Sequence, residues 1–242
     1  MVRTCFVTLA ILASSAAGSD AADPGNVLPF VPGTAPLVVV PVRVNGTGPY
    51  PFLVDTGSSH SSIDAGLAAS LGAPRVAKTL VSSAMGEEWA AVVRLDRIEL
   101  GPLSTEELLA TEVPSQRLAD LAHVEGVIGL DLLGTRSFTL DYSSRQMWWS
   151  DDTRSPDSTA LPLKSVGGMW FVAADAGNGS SLLMLDSGAD VAILLERHPM
   201  RGIVWESHSA ARSVVGTHAV IQGTLQSLQL GPLRLLDVRV AV

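Results

Sequence analysis

The chain has 242 residues, of which 47% are apolar and 17% charged, with a formal net charge of −8 and a pI of about 5.0. That apolar content supports a packed core and excludes a disordered chain. The acidic balance argues against nucleic acid or an anionic membrane surface as a partner, and the length suits one large or two small domains.

Residues 1–22 read as a signal peptide. Arg3 supplies the positive end, Cys5 to Ala13 a short apolar run, and Ser14 to Ala22 small residues suited to cleavage. The run is too short to span a bilayer, and no later stretch reads as a transmembrane helix. Cys5, the single cysteine, lies inside the leader, so a mature chain would carry neither disulfide nor thiol nucleophile. The expected location is a periplasm or the exterior; a cytosolic protein with an apolar N-terminus is the alternative.

A proline-rich stretch, residues 23–36, leads into the folded part. Leu37 to Val44 is β-branched and apolar but contains Pro41, which predicts an edge strand. Asn45 to Pro49 is a turn and Tyr50 to Val54 the returning strand, which delivers Asp55 at its end. Asp64 to Leu71 reads as a short helix capped by Asp64 and stopped at Gly72. Val76 to Ser83 and Trp89 to Leu100 are strands joined by a tip over Ala84 to Glu88, and Leu103 to Val113 is a further strand. Ser115 to Ala122 is a short helix. Gly126-Val127-Ile128-Gly129 places two aliphatics between glycines, which suits a strand passing very close to another backbone. A hairpin over residues 137–150 closes the first unit, and the charged, turn-rich run Asp151 to Thr159 is the best domain boundary. Beyond it, Met169 to Asp175, Ser181 to Leu185, Ser213 to Ile221, Thr224 to Leu230 and Leu233 to Val242 are strand-like.

The chain repeats itself. Val54-Asp55-Thr56-Gly57-Ser58 returns as Leu185-Asp186-Ser187-Gly188-Ala189, with the two aspartates 131 positions apart. Leu100-Gly101-Pro102-Leu103 returns as Leu230-Gly231-Pro232-Leu233, and Gly86 as Gly216, each offset by 130. Landmarks in one order at one offset argue duplication of a whole structural unit, over residues 37–150 and 160–242. A single Asp-Thr-Gly would be no more than a turn. The duplication also admits a plainer reading, two small β-domains whose Asp-Gly turns merely turn. Gly126 lies 71 residues after Asp55, and the same step from Asp186 falls past Val242. The second unit is therefore expected to be incomplete, without its own Gly-Val-Ile-Gly strand beneath the Asp186 loop.

On Asp55-Thr56-Gly57-Ser58, Asp186-Ser187-Gly188-Ala189-Asp190 and Val127-Ile128-Gly129, residues 37–242 resemble the retropepsin-like and pepsin-like aspartic proteases. The resemblance implies an all-β fold of duplicated acid-protease β-barrel lobes with a few short helices, arranged with pseudo-twofold symmetry in one chain. It also leaves a homodimer open. It implies that Asp55 and Asp186 are catalytic and that the substrate is a polypeptide. Two carboxylates about 3 Å apart cannot both ionise, so they share one proton and supply base and acid to an attacking water. Gly57 and Gly188 would let the two loops approach, and the Thr56 and Ser187 hydroxyls would bond across to the opposite loop. A Ser58 hydroxyl donating to Asp55 would favour its charged form, where Ala189 can do nothing for Asp186; the proton is then expected on Asp186. Met85 and Gly86 mark one flap over the substrate, and Val215 and Gly216 a second. No tyrosine lies in the flap region, unlike pepsin, and Trp89 is the nearest aromatic, expected to be packed rather than to line the cleft.

The rivals are weaker or less specific. His60, His123, His198, His208 and His218 show no paired ligand spacing, so no metal and no cofactor is expected. Asp131, Asp141 and Asp190 read as turn or surface residues. A Ser/His/Asp triad lacks its Gly-x-Ser-x-Gly. The serious alternative is a catalytically inactive exported peptide-binding module of the same fold.

Overall fold

The computed structural model describes residues 6–9, 26–34, 36–83, 86–149, 158–177, 179–194 and 202–241. Most of the expected leader and of the 151–159 boundary run lies outside these residues, as does Met85. The chain is mainly β. β1 (Phe6–Leu9) and β2 (Val27–Pro29) come first, then the first lobe. That lobe contains β3 (Val39–Val44), β4 (Thr47–Val54), β5 (Ser62–Asp64), α1 (Ala65–Ser70), β6 (Arg75–Ser83), β7 (Gly86–Leu100), β8 (Leu103–Val113), α2 (Ser115–Ala122), β9 (Gly126–Ile128) and α3 (Leu130–Leu133). β10 (Phe138–Asp141) and β11 (Gln146–Trp149) form a hairpin that pairs with β2 in a three-stranded sheet. The second lobe holds β12 (Leu163–Val166), β13 (Met169–Asp175), β14 (Ser180–Leu185), β15 (Ala192–Leu194), β16 (Ile203–Ser213), β17 (Gly216–Leu230) and β18 (Leu233–Ala241).

In the first lobe the strands run β3-β4-β9-β5-β8-β7, and β3 pairs back onto β7, which closes a six-stranded barrel. The closure corrects the expectation of an edge strand at Pro41: Arg43 and Val44 pair with Glu99 and Ile98. Pro41 itself, opposite Pro51, sits where β3 has β4 alone beside it, so the missing N–H interrupts no second ladder. The barrel buries Val40, Val42, Phe52, Ile63, Leu95, Ile98 and Leu100, sealed below by Leu132, Leu133 and Trp149. The short helices follow their sequence cues: the Asp64 carboxylate accepts from the Leu67 N–H at 2.7 Å, and Gly72 follows α1 with φ of +67°.

The second lobe repeats this plan on a smaller core of Val172, Leu183, Leu225, Leu228, Leu230 and Val240. Its hairpins match the first lobe's at the expected offset, with Ser83 opposite Gly86 answered by Ser213 opposite Gly216, and Leu100 opposite Leu103 by Leu230 opposite Leu233. β12 and β16 carry no clear pattern in the sequence and were not foreseen; their faces are largely exposed, so alternation is weak. The position beneath the Asp186 loop is occupied: β1 lies between β14 and β15.

Candidate active site

Each Asp-Thr/Ser-Gly motif leaves the end of a strand, β4 for Asp55 and β14 for Asp186, and turns at the cleft between the lobes. The Asp55 loop is anchored from below, its own N–H donating to the Ile128 carbonyl at 3.0 Å. Beside it Ser61 bonds to Asp131: the Ser61 N–H and hydroxyl donate to the carboxylate at 2.9 and 2.7 Å, while the same hydroxyl accepts from the Gly129 N–H at 3.1 Å. Asp131 is thus no turn or surface residue but a brace for the loop. The sequence hides this, because the partners stand 70 positions apart.

The two loops are locked together by crossed hydrogen bonds. The Thr56 hydroxyl donates to the Leu185 carbonyl at 2.9 Å and accepts from the Ser187 N–H at 3.0 Å. Its mate, the Ser187 hydroxyl, donates to the Val54 carbonyl at 2.7 Å and accepts from the Thr56 N–H at 3.1 Å. Four bonds related by the repeat fix the loops in one orientation. Thr56→Ala would strand a carbonyl and an N–H at a buried position, a loss of about 1–3 kcal/mol, whereas Thr56→Ser keeps both bonds. Thermal melts of the two variants should separate them clearly, with Thr56→Ser close to the parent.

Within this frame the carboxyls of Asp55 and Asp186 face each other and share a hydrogen bond. Gly57 donates its N–H to Asp55 Oδ1 and Gly188 donates to Asp186 Oδ1, both at 2.8 Å. The Ala189 N–H also donates to Asp186. The glycines are needed for the approach: a Cβ on Gly57 would lie 2.3 Å from Asp186 Cγ, and one on Gly188 2.6 Å from Asp55 Cγ. Burial raises the Asp55 carboxyl above the ordinary 3.8, and the hydrogen bond from Asp186 pulls it partly back. Asp186 stands well above 3.8 through burial first, then through the Asp55 charge and the proton it donates to Asp55. Tyr142, not foreseen from sequence, is pushed up to about 12 by burial and by the charge of Asp186, so its phenol stays neutral there.

The reason given for this asymmetry needs correction. The Ser58 hydroxyl does not reach Asp55; it donates to the His60 carbonyl at 2.8 Å. The shared proton is expected on Asp186 for the causes just stated, and neutron diffraction placing it on Asp55 would contradict this.

The cleft above the pair measures about 1380 Å³. Leu80 and Trp89 on the β6–β7 hairpin, Leu121 on α2, and Val214 and Val215 at the β16–β17 turn line it. Trp89 corrects the expectation of plain packing, since it is 69% exposed on the cleft wall. Gly86 opens β7 and Gly216 opens β17, at the two hairpin tips. Arg117 on α2 connects these hairpins, forming an ion pair with Glu88 and donating to the Val214 carbonyl at 3.2 Å. The Arg117 guanidinium holds Glu88 below the usual carboxylate range.

Fold and site together define a two-lobed β-barrel protein organised around a pair of facing carboxyls. Residues 40–132 match the family model described as aspartyl protease, a span that takes in the Asp55 motif and Asp131 and ends before the second motif. No curated protein matches the chain. Among solved structures, a retropepsin-like aspartic protease from Rickettsia conorii is 18% identical, with a TM-score of 0.37 over 51% of this chain and 87% of that one. The resemblance to aspartic proteases read from the sequence is matched by that family model over residues 40–132.

Proposed function

We propose that the chain is an aspartic endopeptidase whose catalytic residues are Asp55 and Asp186. The observation that supports this most is the crossed bonding of Thr56 and Ser187, which holds two carboxyls face to face on the floor of a cleft wide enough for an extended peptide. In the mechanism, ionised Asp55 takes a proton from a water as its oxygen attacks the peptide carbonyl carbon. Asp186 gives its proton to the carbonyl oxygen, forming a tetrahedral gem-diol. On collapse the C–N bond breaks, the leaving nitrogen takes the proton from Asp55, and a hydroxyl proton returns to Asp186. A low-dielectric floor favours the singly protonated pair on which this depends.

The flaps grip the peptide from above, the β6–β7 tip at Gly86 and the β16–β17 tip at Val215 and Gly216. Arg117 couples them. Arg117→Ala should raise KM severalfold with a smaller change in kcat, read from steady-state cleavage of one peptide. Because the Glu88 carboxylate is held below its usual range, this clasp is complete above the ordinary carboxylate pKa and is lost as pH falls through Glu88's own. The leader supports export to a periplasm or the exterior, and the two motifs in one chain support a pseudo-dimeric monomer.

Incubation of the purified chain with a denatured protein mixture from about pH 3 to 7 tests the proposal. Cleavage in an acid to near-neutral window supports it. A folded chain that binds peptides yet cleaves nothing at any pH would replace it with the inactive peptide-binding module.

A further inference from the structure

The strand β1 sits in the second lobe where β9 sits in the first. β9 lies parallel to β4 and antiparallel to β5; β1 lies parallel to β14 and antiparallel to β15. The registers agree residue by residue. Ile128 pairs with Val54, the residue before Asp55, and Leu9 pairs with Leu185, the residue before Asp186. Val127 pairs with Ser62 and Gly126 with Ile63; Thr8 pairs with Ile193 and Val7 with Leu194. The partners of Val7 to Leu9, namely Leu183, Met184, Leu185, Ile193 and Leu194, are thus the repeat-mates, 131 positions on, of the partners of β9.

We infer that the space between β14 and β15 is a strand-acceptor site whose occupant is Phe6–Leu9 of this chain. The segment that reads as the apolar part of an export leader also serves as the inner strand of the second lobe. A strand inserted there completes both ladders, and main-chain hydrogen bonds supply the affinity. Its end lies at the entry to the Asp186 loop, as β9 lies at the entry to the Asp55 loop, where Ile128 accepts the Asp55 N–H. Removal of the leader would therefore open the sheet beneath Asp186 and leave two unpaired edges to be closed by another strand.

Amide hydrogen exchange on the full chain tests this without reference to hydrolysis, so it stands or falls apart from the proposed activity. Val7→Pro removes an N–H in a strand paired on both sides and cannot be accommodated there. Exchange of the Leu182–Leu185 and Ala192–Leu194 amides should accelerate at least tenfold in Val7→Pro. It should be unchanged in Ser15→Pro, a leader variant outside β1. Amides of β5 and β9 in the first lobe report whether the variant is still folded. A synthetic peptide of residues 4–11 added to Val7→Pro should restore the slow exchange. Equal exchange in Val7→Pro and the parent, with the first lobe protected in both, would overturn the inference. So would protection in Val7→Pro that grows with chain concentration, which would assign the site to a second copy.

Discussion

Gly57→Ala is expected to leave a folded chain whose peptide cleavage has fallen by roughly 10²-fold or more. An added Cβ would meet Asp186 Cγ at 2.3 Å and both carboxyl oxygens at 2.4 and 2.5 Å. Such overlaps are removed only by movement, and Asp186 is not a free side chain. The Gly188 N–H and the Ala189 N–H hold it, and its loop is pinned through Ser187 to Val54 and Thr56. The loops must therefore separate, at a stability cost of about 1–3 kcal/mol typical of overpacking. Gly188→Ala should behave alike, its Cβ meeting Asp55 at 2.6 to 2.9 Å. A lowered melting temperature with intact near-UV circular dichroism, together with the rate loss in both variants, is the expected pattern. Either variant retaining the parent rate would mean that the carboxyls do not need their close approach.

The second large effect concerns pH. Both carboxyls stand above their ordinary value of 3.8 in the folded chain. A raised carboxyl binds its proton more tightly folded than unfolded, so the folded state is favoured at acid pH. That advantage declines as pH rises from the unfolded value through the folded one. Asp186→Asn removes both its own ionisation and its repulsion of Asp55. The variant is expected to melt higher than the parent near neutral pH, with a flatter dependence of melting temperature between about pH 4 and 7. The two should converge below the ordinary carboxylate range. A parent and variant with parallel melting curves across that window would show that the pair is not coupled. The gain in stability alongside a loss of activity is the signature of strain held at a functional site.

Much of this was legible in the sequence because the duplication is regular. The 130–131 offset located both motifs and both hairpin tips, and β8, α2 and β13 fall where turn residues and apolar spacing put them. What remained hidden depends on contacts distant in the chain. The brace of Ser61 by Asp131 and the Arg117 link between hairpins are side-chain bonds between segments whose local pattern says only strand, loop or helix. Ser58 illustrates the limit within a motif: its presence was readable, but the direction of its hydroxyl, to the His60 carbonyl, is set by how the loop turns. Trp89 stands near the flap in the sequence, but its place, exposed on the cleft wall, is set by the β6–β7 hairpin that carries it. The pairing of β1 with β14 and β15 joins residues more than 170 positions apart, beyond any local period.

The most direct test of a single shared site is a double-mutant cycle on peptide cleavage with Asp55→Asn, Asp186→Asn and the doubly substituted chain. If the two carboxyls act as one unit, each single substitution lowers kcat by roughly 10²–10⁴-fold and the double variant is no slower than the worse single. Activity surviving either single substitution, or losses that multiply in the double variant, would contradict a shared dyad.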